Sequence, residues 1–232
     1  NNYGRDSRET NYKAIPTYST SGQTNRVATG TGPLTWSHDK TSSGIWDLNG
    51  NVSEWVSGMR TVYGELQVLS KDGVHIYNDA ADPDNDQSAT SALWYAIDGT
   101  TGALITPNGT GTTTNALRLD WLSGAWKWIT GTPTGNISAY QGCLLESVTV
   151  DSAVCAAAIL ILQTLGLYKV DPTAGAYDGD CLYFDASQAE RCFFAGGIWN
   201  FGTNYGVFCL GGYFSRASTY TSIGFRAAYV DL

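Results

Sequence analysis

Chemistry in this chain would have to come from five cysteines, two histidines and twenty-one acidic residues, and their spacing offers little. Cys143, Cys155, Cys181, Cys192 and Cys209 stand far apart, no Cys-x-x-Cys pair occurs, and His38 and His75 do not cluster with them. A zinc centre needs such ligands to close on one ion, so none is expected. An odd number of cysteines leaves at least one thiol unpaired. Cys155, Cys192 and Cys209 read as small buried apolar residues, with a Cys181–Cys192 bridge as an alternative. Asp82, Asp84 and Asp86 imitate the start of a calcium loop, but Gln87 stands where that loop needs glycine and Leu93 where it needs a bidentate glutamate. They read as a solvated turn. His38 reads as a structural loop histidine. No GxSxG, HExxH, P-loop or dinucleotide fingerprint occurs. The expectation is no catalytic residue, no metal and no cofactor.

The residues with another capacity lie near the C-terminal end. From Trp199 to Ser222 the chain has no Asp, Glu, Lys, Gln or Met, and its only charge is Arg216. Gly, Ser, Thr, Asn, Tyr and Phe fill it, the composition of a contact surface: rings give large area at low entropy cost, and small polar residues adapt to a partner. The flanks differ in kind. Ala195-Gly196-Gly197 on one side and Ile223-Gly224-Phe225-Arg226 on the other read as a fixed frame around an aromatic patch.

Two motifs carry a resemblance. Gly44-Ile45-Trp46-Asp47-Leu48-Asn49-Gly50-Asn51-Val52-Ser53-Glu54-Trp55 and the closing Gly-Gly, Arg216 and Gly224-Phe225-Arg226 occur in the order found in the formylglycine-generating-enzyme-like branch of the C-type lectin fold. Within that branch the closing stretch is similar to the variable proteins of diversity-generating retroelements. It matches their frame at Gly197, Trp199, Gly202, Gly206, Val207, Phe208, Leu210, Arg216, Gly224, Phe225 and Arg226. The mismatches fall mainly where their templates carry Asn. Those systems mutate template adenines, so an Asn codon can become Ile, Phe, Tyr, Gly, Ser, Thr or Ala, but not Trp, Met, Lys, Gln or Glu. Ile198, Phe201, Gly211, Tyr213, Phe214, Ser218, Tyr220 and Ser222 are all reachable in this way.

The resemblance implies a ligand-binding, receptor-recognition protein, phage or prophage encoded, displayed on a virion tail tip or a bacterial cell surface. Its partner would be a host-cell surface protein or glycan, and a tail-tip protein would be a homotrimer. The binding positions it implies, within a variable region of about 196–226, are Ile198, Asn200, Phe201, Thr203, Asn204, Tyr205, Gly211, Tyr213, Phe214, Ser218, Tyr220 and Ser222. Glu54, Trp55, Trp199, Arg216, Gly224, Phe225 and Arg226 would form the frame. Two alternatives are weaker. A formylglycine-generating oxidase places two thiols five apart after the Gly-Gly pair, and those positions hold Gly206 and Gly211. A calcium-dependent lectin carries Glu-Pro-Asn or Gln-Pro-Asp, which is absent. The protein is therefore expected not to be an enzyme.

These residues need a scaffold, and 232 residues suffice for one with a real core. The expectation is a single α+β domain over 1–232, the C-terminal part of a longer protein, with inserted β-hairpins at about 60–140. A net charge of −8 argues against nucleic acid and anionic membrane. No apolar run reaches the roughly 20 residues that a bilayer-spanning helix takes. Residues 1–40 read as loop. Asn49-Gly50-Asn51 predicts a tight turn. Hairpins are predicted over 59–76 around Lys71-Asp72-Gly73 and over 117–129 around Ser123-Gly124, and a hairpin or an insert turn over 93–105. A helix is predicted over 151–167, capped by Asp151 or Ser152 and closed by Gly166, with Val154, Ala158, Ile161, Leu162 and Leu165 as its core stripe. Short strands follow at 182–184 and 192–194. Glu54, between apolar neighbours, predicts an ion pair with Arg226, or Asp47 does.

Overall fold

The computed structural model describes residues 29–30, 34–77, 85–138, 140–198, 205–220 and 222–225. It is a mostly-sheet α+β fold. Among the described residues, twelve strands share one mixed sheet and a single α-helix packs against it. The central strand β1 (Ser53–Val62) leaves the Asn49-Gly50-Asn51 turn, where Gly50 (φ 85°) and Asn51 (φ 61°) take the left-handed conformation that Gly and Asn tolerate. β2 (Glu65–Leu69) returns antiparallel to it.

The turn between them corrects the predicted 59–76 hairpin. Chain reversal falls at Tyr63-Gly64, both left-handed (φ 47° and 80°), with Val62 opposite Glu65. Two left-handed residues form the two-residue loop whose twist suits a hairpin. Asp72 closes a loop instead. Its carboxylate accepts the N–H groups of Val74 (2.9 Å) and His75 (2.8 Å), which satisfies the local backbone without a strand partner.

The hairpin over 117–129 forms where expected, and of the two alternatives over 93–105 the hairpin is the one formed. β3 (Trp94–Ile97) pairs with β4 (Leu104–Ile105). β5 (Arg118–Leu122) pairs with β6 (Ala125–Ile129) across Ser123 (φ 53°) and Gly124 (φ 83°). They do not form a separate body, because β2 pairs with both β3 and β5 and the sheet runs on through β6 to β8 (Thr149–Val150). On the other side of β1 lie β10 (Arg191–Ala195), β11 (Leu210–Phe214), β9 (Cys181–Phe184) and β7 (Gln141–Leu144). β12 (Ile223–Gly224) pairs parallel with the start of β1.

The helix α1 (Ala156–Thr164) begins five residues later than predicted. Asp151 is committed elsewhere: one carboxylate oxygen takes Lys127 Nζ (2.7 Å) and the other the N–H of Ala153 (3.0 Å), which makes 151–154 a turn. Cys155 caps the helix instead, its Sγ accepting from Ala158 N at 3.5 Å. The predicted C-terminal end holds. Gly166 is left-handed (φ 72°), its N–H reaches Gln163 O, and Leu167 N reaches Leu162 O, the paired closure of a Schellman motif. Val154, Ala158 and Leu162 are buried, and Ile161 and Leu165 pack partly against the same core.

That core gathers Trp126, Trp128, Phe184, Phe193, Leu117, Leu119 and Leu162. Its two indoles keep their N–H groups satisfied: Trp126 donates to Gln141 O (3.2 Å) and Trp128 to Leu167 O (3.0 Å). All five cysteines are free, which excludes the Cys181–Cys192 alternative. The sheet order explains it. β11 lies between β9 and β10, and two strand spacings come to about 9–10 Å, beyond a disulfide's reach.

Candidate ligand-binding face

The two signature motifs meet. Ser53 lies beside Ile223 and Glu54 beside Gly224 in the β1–β12 pairing, and Glu54 faces Ala195 on β10. Ser53 N donates to Ser222 O (2.9 Å), Ser53 Oγ to Gly196 O (3.0 Å), and Gly197 N to Asn49 Oδ1 (3.2 Å). Backbone pairing and two polar side chains thus join stretches about 150 residues apart. Arg226 lies outside the described residues, and with it the expected pair to Glu54 or Asp47.

Beside this junction runs a continuous chain of rings. Tyr205 stacks on Tyr183 (5.3 Å, 4° between planes), and Tyr183 on Tyr140 (5.3 Å, 10°). Tyr140 meets Tyr213 edge-on (4.6 Å), and Tyr213 meets Phe194 edge-on (4.9 Å). Phe214 stacks on Phe194 (5.3 Å) and on Tyr220 (4.4 Å). Trp55 closes on Phe194 edge-on (5.9 Å). Tyr220 is 54% exposed and Tyr140 49%, while Tyr205, Tyr213 and Phe214 are half-buried.

Strand alternation and glycine place these rings. On β9, Leu182 and Phe184 turn into the core, so Tyr183 faces the other way. Its ring covers Gly142 of β7, where a Cβ would come within 2.1 Å of the ring. Phe194 likewise covers Gly211, whose Cβ would stand 2.1 Å from the Phe194 Cζ. Gly211, expected among the binding positions, is therefore buried under a ring rather than open to a ligand.

Burial pushes the Tyr213 phenol up to about 12 and raises Tyr140, Tyr183 and Tyr205 as well. At neutral pH all four are neutral hydroxyls, able to donate and accept hydrogen bonds.

Two carboxylates hold the face in place. Asp180, buried just before β9, accepts the N–H of Gly206 and that of Phe208 (2.8 Å), so it pins the loop that carries Tyr205. Burial raises its pKa, and the two N–H donors work against that rise. Glu190, just before β10, receives a forked pair from Arg216 (Nε 3.1 Å, Nη2 2.9 Å) and a third bond from Arg60 (2.8 Å). Arg60 lies 4.3 Å over the Trp94 ring and donates to Gln67 (3.0 Å). The single charge of the aromatic stretch is thereby anchored in the sheet.

Ile198, Ser218 and Ser222 are partly buried, and Ser218 Oγ shares a hydrogen bond with Ser215 Oγ (3.1 Å). Phe225 is 82% exposed. Trp199, Asn200, Phe201, Thr203 and Asn204 lie outside the described residues. His38 is a loop residue whose Nδ1 accepts the N–H of Ile45 (2.8 Å). Sequence reasoning missed Tyr140, Tyr183 and Phe194, which supply rings to the chain, and Asp180 and Glu190, which fix it. Period two along 181–184 could have found Tyr183; nothing local marks Tyr140 or Glu190.

Among the described residues no group of three His, Cys, Asp or Glu side chains could hold a metal, and no helix is long and apolar enough to cross a membrane. No family model matches the chain, and no curated protein matches it.

Proposed function

We propose that this chain is a receptor-recognition protein with the C-type lectin fold of the formylglycine-generating-enzyme-like branch, and that its aromatic face is the ligand site. The observation that carries this reading is the interleaving of two kinds of ring. Tyr205, Tyr213, Phe214 and Tyr220 come from the variable-looking stretch, while Tyr140, Tyr183 and Phe194 come from strands outside it. Binding residues on loops and edges over a rigid sheet can change without unfolding the sheet. The meeting of the two motifs on β1, β10 and β12 agrees with the fold proposed.

The partner is a host-cell surface protein or glycan, met from a virion tail tip or a bacterial surface. Neutral phenols suit either, because they stack on apolar faces and exchange hydrogen bonds with hydroxyls or amides. Half-buried Tyr and Phe anchors dominate such contacts, and each is expected to cost about 2 kcal/mol of binding when truncated.

Retroelement diversification is tested by sequencing the 3′ end of the gene across a population, together with any adjacent near-identical repeat. Variation concentrated between codons 198 and 222, only where the repeat has adenine, and sparing Gly224-Phe225-Arg226, is the expected result. An invariant segment with no repeat leaves a fixed aromatic site and overturns diversification.

A further inference from the structure

We propose that a cleft on the inserted hairpins, remote in sequence from the aromatic stretch, is a second binding site, for a small sugar bearing one carboxylate. The cleft encloses about 540 Å³ between the 110–115 loop, the 130–133 turn and the β1–β2 turn, a size that suits a small molecule. Its wall is built rather than incidental: Gly111 sits so close on the β1–β2 turn that a Cβ there would lie 2.3 Å from Val62 O.

Arg118 lies at the floor, only 6% exposed. One of its three guanidinium nitrogens has a partner: Nη2 donates to Thr113 O at 2.7 Å. Nε is sealed from the cleft and has none, so Nη1 and the second N–H of Nη2 are the donors that a ligand would meet. No carboxylate pairs with it among the described residues. Glu65, its cross-strand neighbour, is occupied by Gln67 Nε2 (2.9 Å) and Thr113 N (2.8 Å). A buried, under-satisfied arginine is costly to keep, and a planar guanidinium is matched by a carboxylate. Among the described residues Arg118 is the only charged one lining the cleft. One positive charge suits a monoanion better than a phosphate dianion.

The rim selects hydroxyls. Thr114, Asn115, Thr130 and Thr132 line the cleft, and their side chains make no hydrogen bond among the described residues. Tyr63, left-handed and exposed at the hairpin turn, offers a ring face on which sugar C–H groups can lie. An anion at the floor, hydroxyl partners around it and a ring at the mouth together describe a hexuronate.

The test is titration of the full 232-residue chain with glucuronate, glucose and acetate, read by saturation-transfer NMR and calorimetry. Glucuronate is expected to bind saturably, with glucose and acetate each at least about tenfold weaker. Arg118→Lys is expected to weaken glucuronate about tenfold, because a point charge replaces the fork. Thr132→Val, on the exposed rim, is expected to weaken it severalfold with an unchanged melting temperature, and this variant decides the matter should Arg118→Lys fail to fold. Tyr213→Ala, in the aromatic face, is expected to leave it unchanged. Absence of saturable glucuronate binding, equal binding of glucose, or loss of binding in Tyr213→Ala overturns the proposal. So does Thr132→Val binding as wild type.

Discussion

At the scale of single residues, the aromatic face depends on buried groups that stand outside its chain of rings. Asp180 takes two backbone N–H groups on one buried carboxylate. Asp180→Ala leaves both donors without an acceptor, at a cost of about 3 kcal/mol. A thermal melt is expected to fall by about 10 °C, given about 2–4 °C per kcal/mol at this size. Gly211→Asn drives a side chain into the Phe194 ring. Displacing that ring is expected to cost about 1–3 kcal/mol and to change the near-ultraviolet dichroism of the aromatic chain. Glu190 supplies a pH signature. Burial raises its pKa, but hydrogen bonds from Arg216 and Arg60 outweigh burial and lower it overall. A lowered folded pKa means stability that is present above the unfolded value of about 4.3 and is lost as pH falls through the folded value. Wild type should therefore lose melting temperature on acidification below that point more steeply than Glu190→Gln.

At the scale of elements, how well the sequence predicts structure depends on how local the cause is. Ser123-Gly124 and Asn49-Gly50-Asn51 carry their turn chemistry in adjacent residues, and both turns appear where expected. Gly166 ends the helix for the same reason. Nothing within 4 Å would meet a Cβ at Gly166, so Gly166→Ala should cost only the left-handed strain, about 1 kcal/mol, measurable by denaturant unfolding. The failures have distant causes. Asp151 looks like a helix cap, but Lys127 on β6 draws its carboxylate away and the helix waits for Cys155. Asp72-Gly73 is the stronger hairpin signal, yet Tyr63-Gly64 wins because the register of β1 on β2 closes there. The candidate face divides in the same way. Its rings at 205, 213, 214 and 220 could be picked out in one stretch of sequence, whereas Tyr140 and Glu190 reach it only through the sheet.

At the scale of the whole molecule, the β3–β4 and β5–β6 hairpins extend the sheet that carries the face. A polar chain links the two regions: Arg216 to Glu190, Glu190 to Arg60, Arg60 to Gln67, Gln67 to Glu65, and Glu65 to Thr113 at the cleft. The proposed function implies a division of labour, with a fixed frame of sheet, buried carboxylates and arginines, and an exchangeable face.

The measurement that tests this division most directly is a display library sorted for resistance to proteolysis. One half varies positions 205, 213, 214, 218 and 220 over the residues reachable from an Asn codon; the other half varies Asp180, Glu190 and Arg216 over the same residues. Most face variants are expected to stay folded, losing at most the aromatic contacts, while most frame variants are cleaved. Equal loss of both halves would contradict it, because the rings would then be core and not an exchangeable surface.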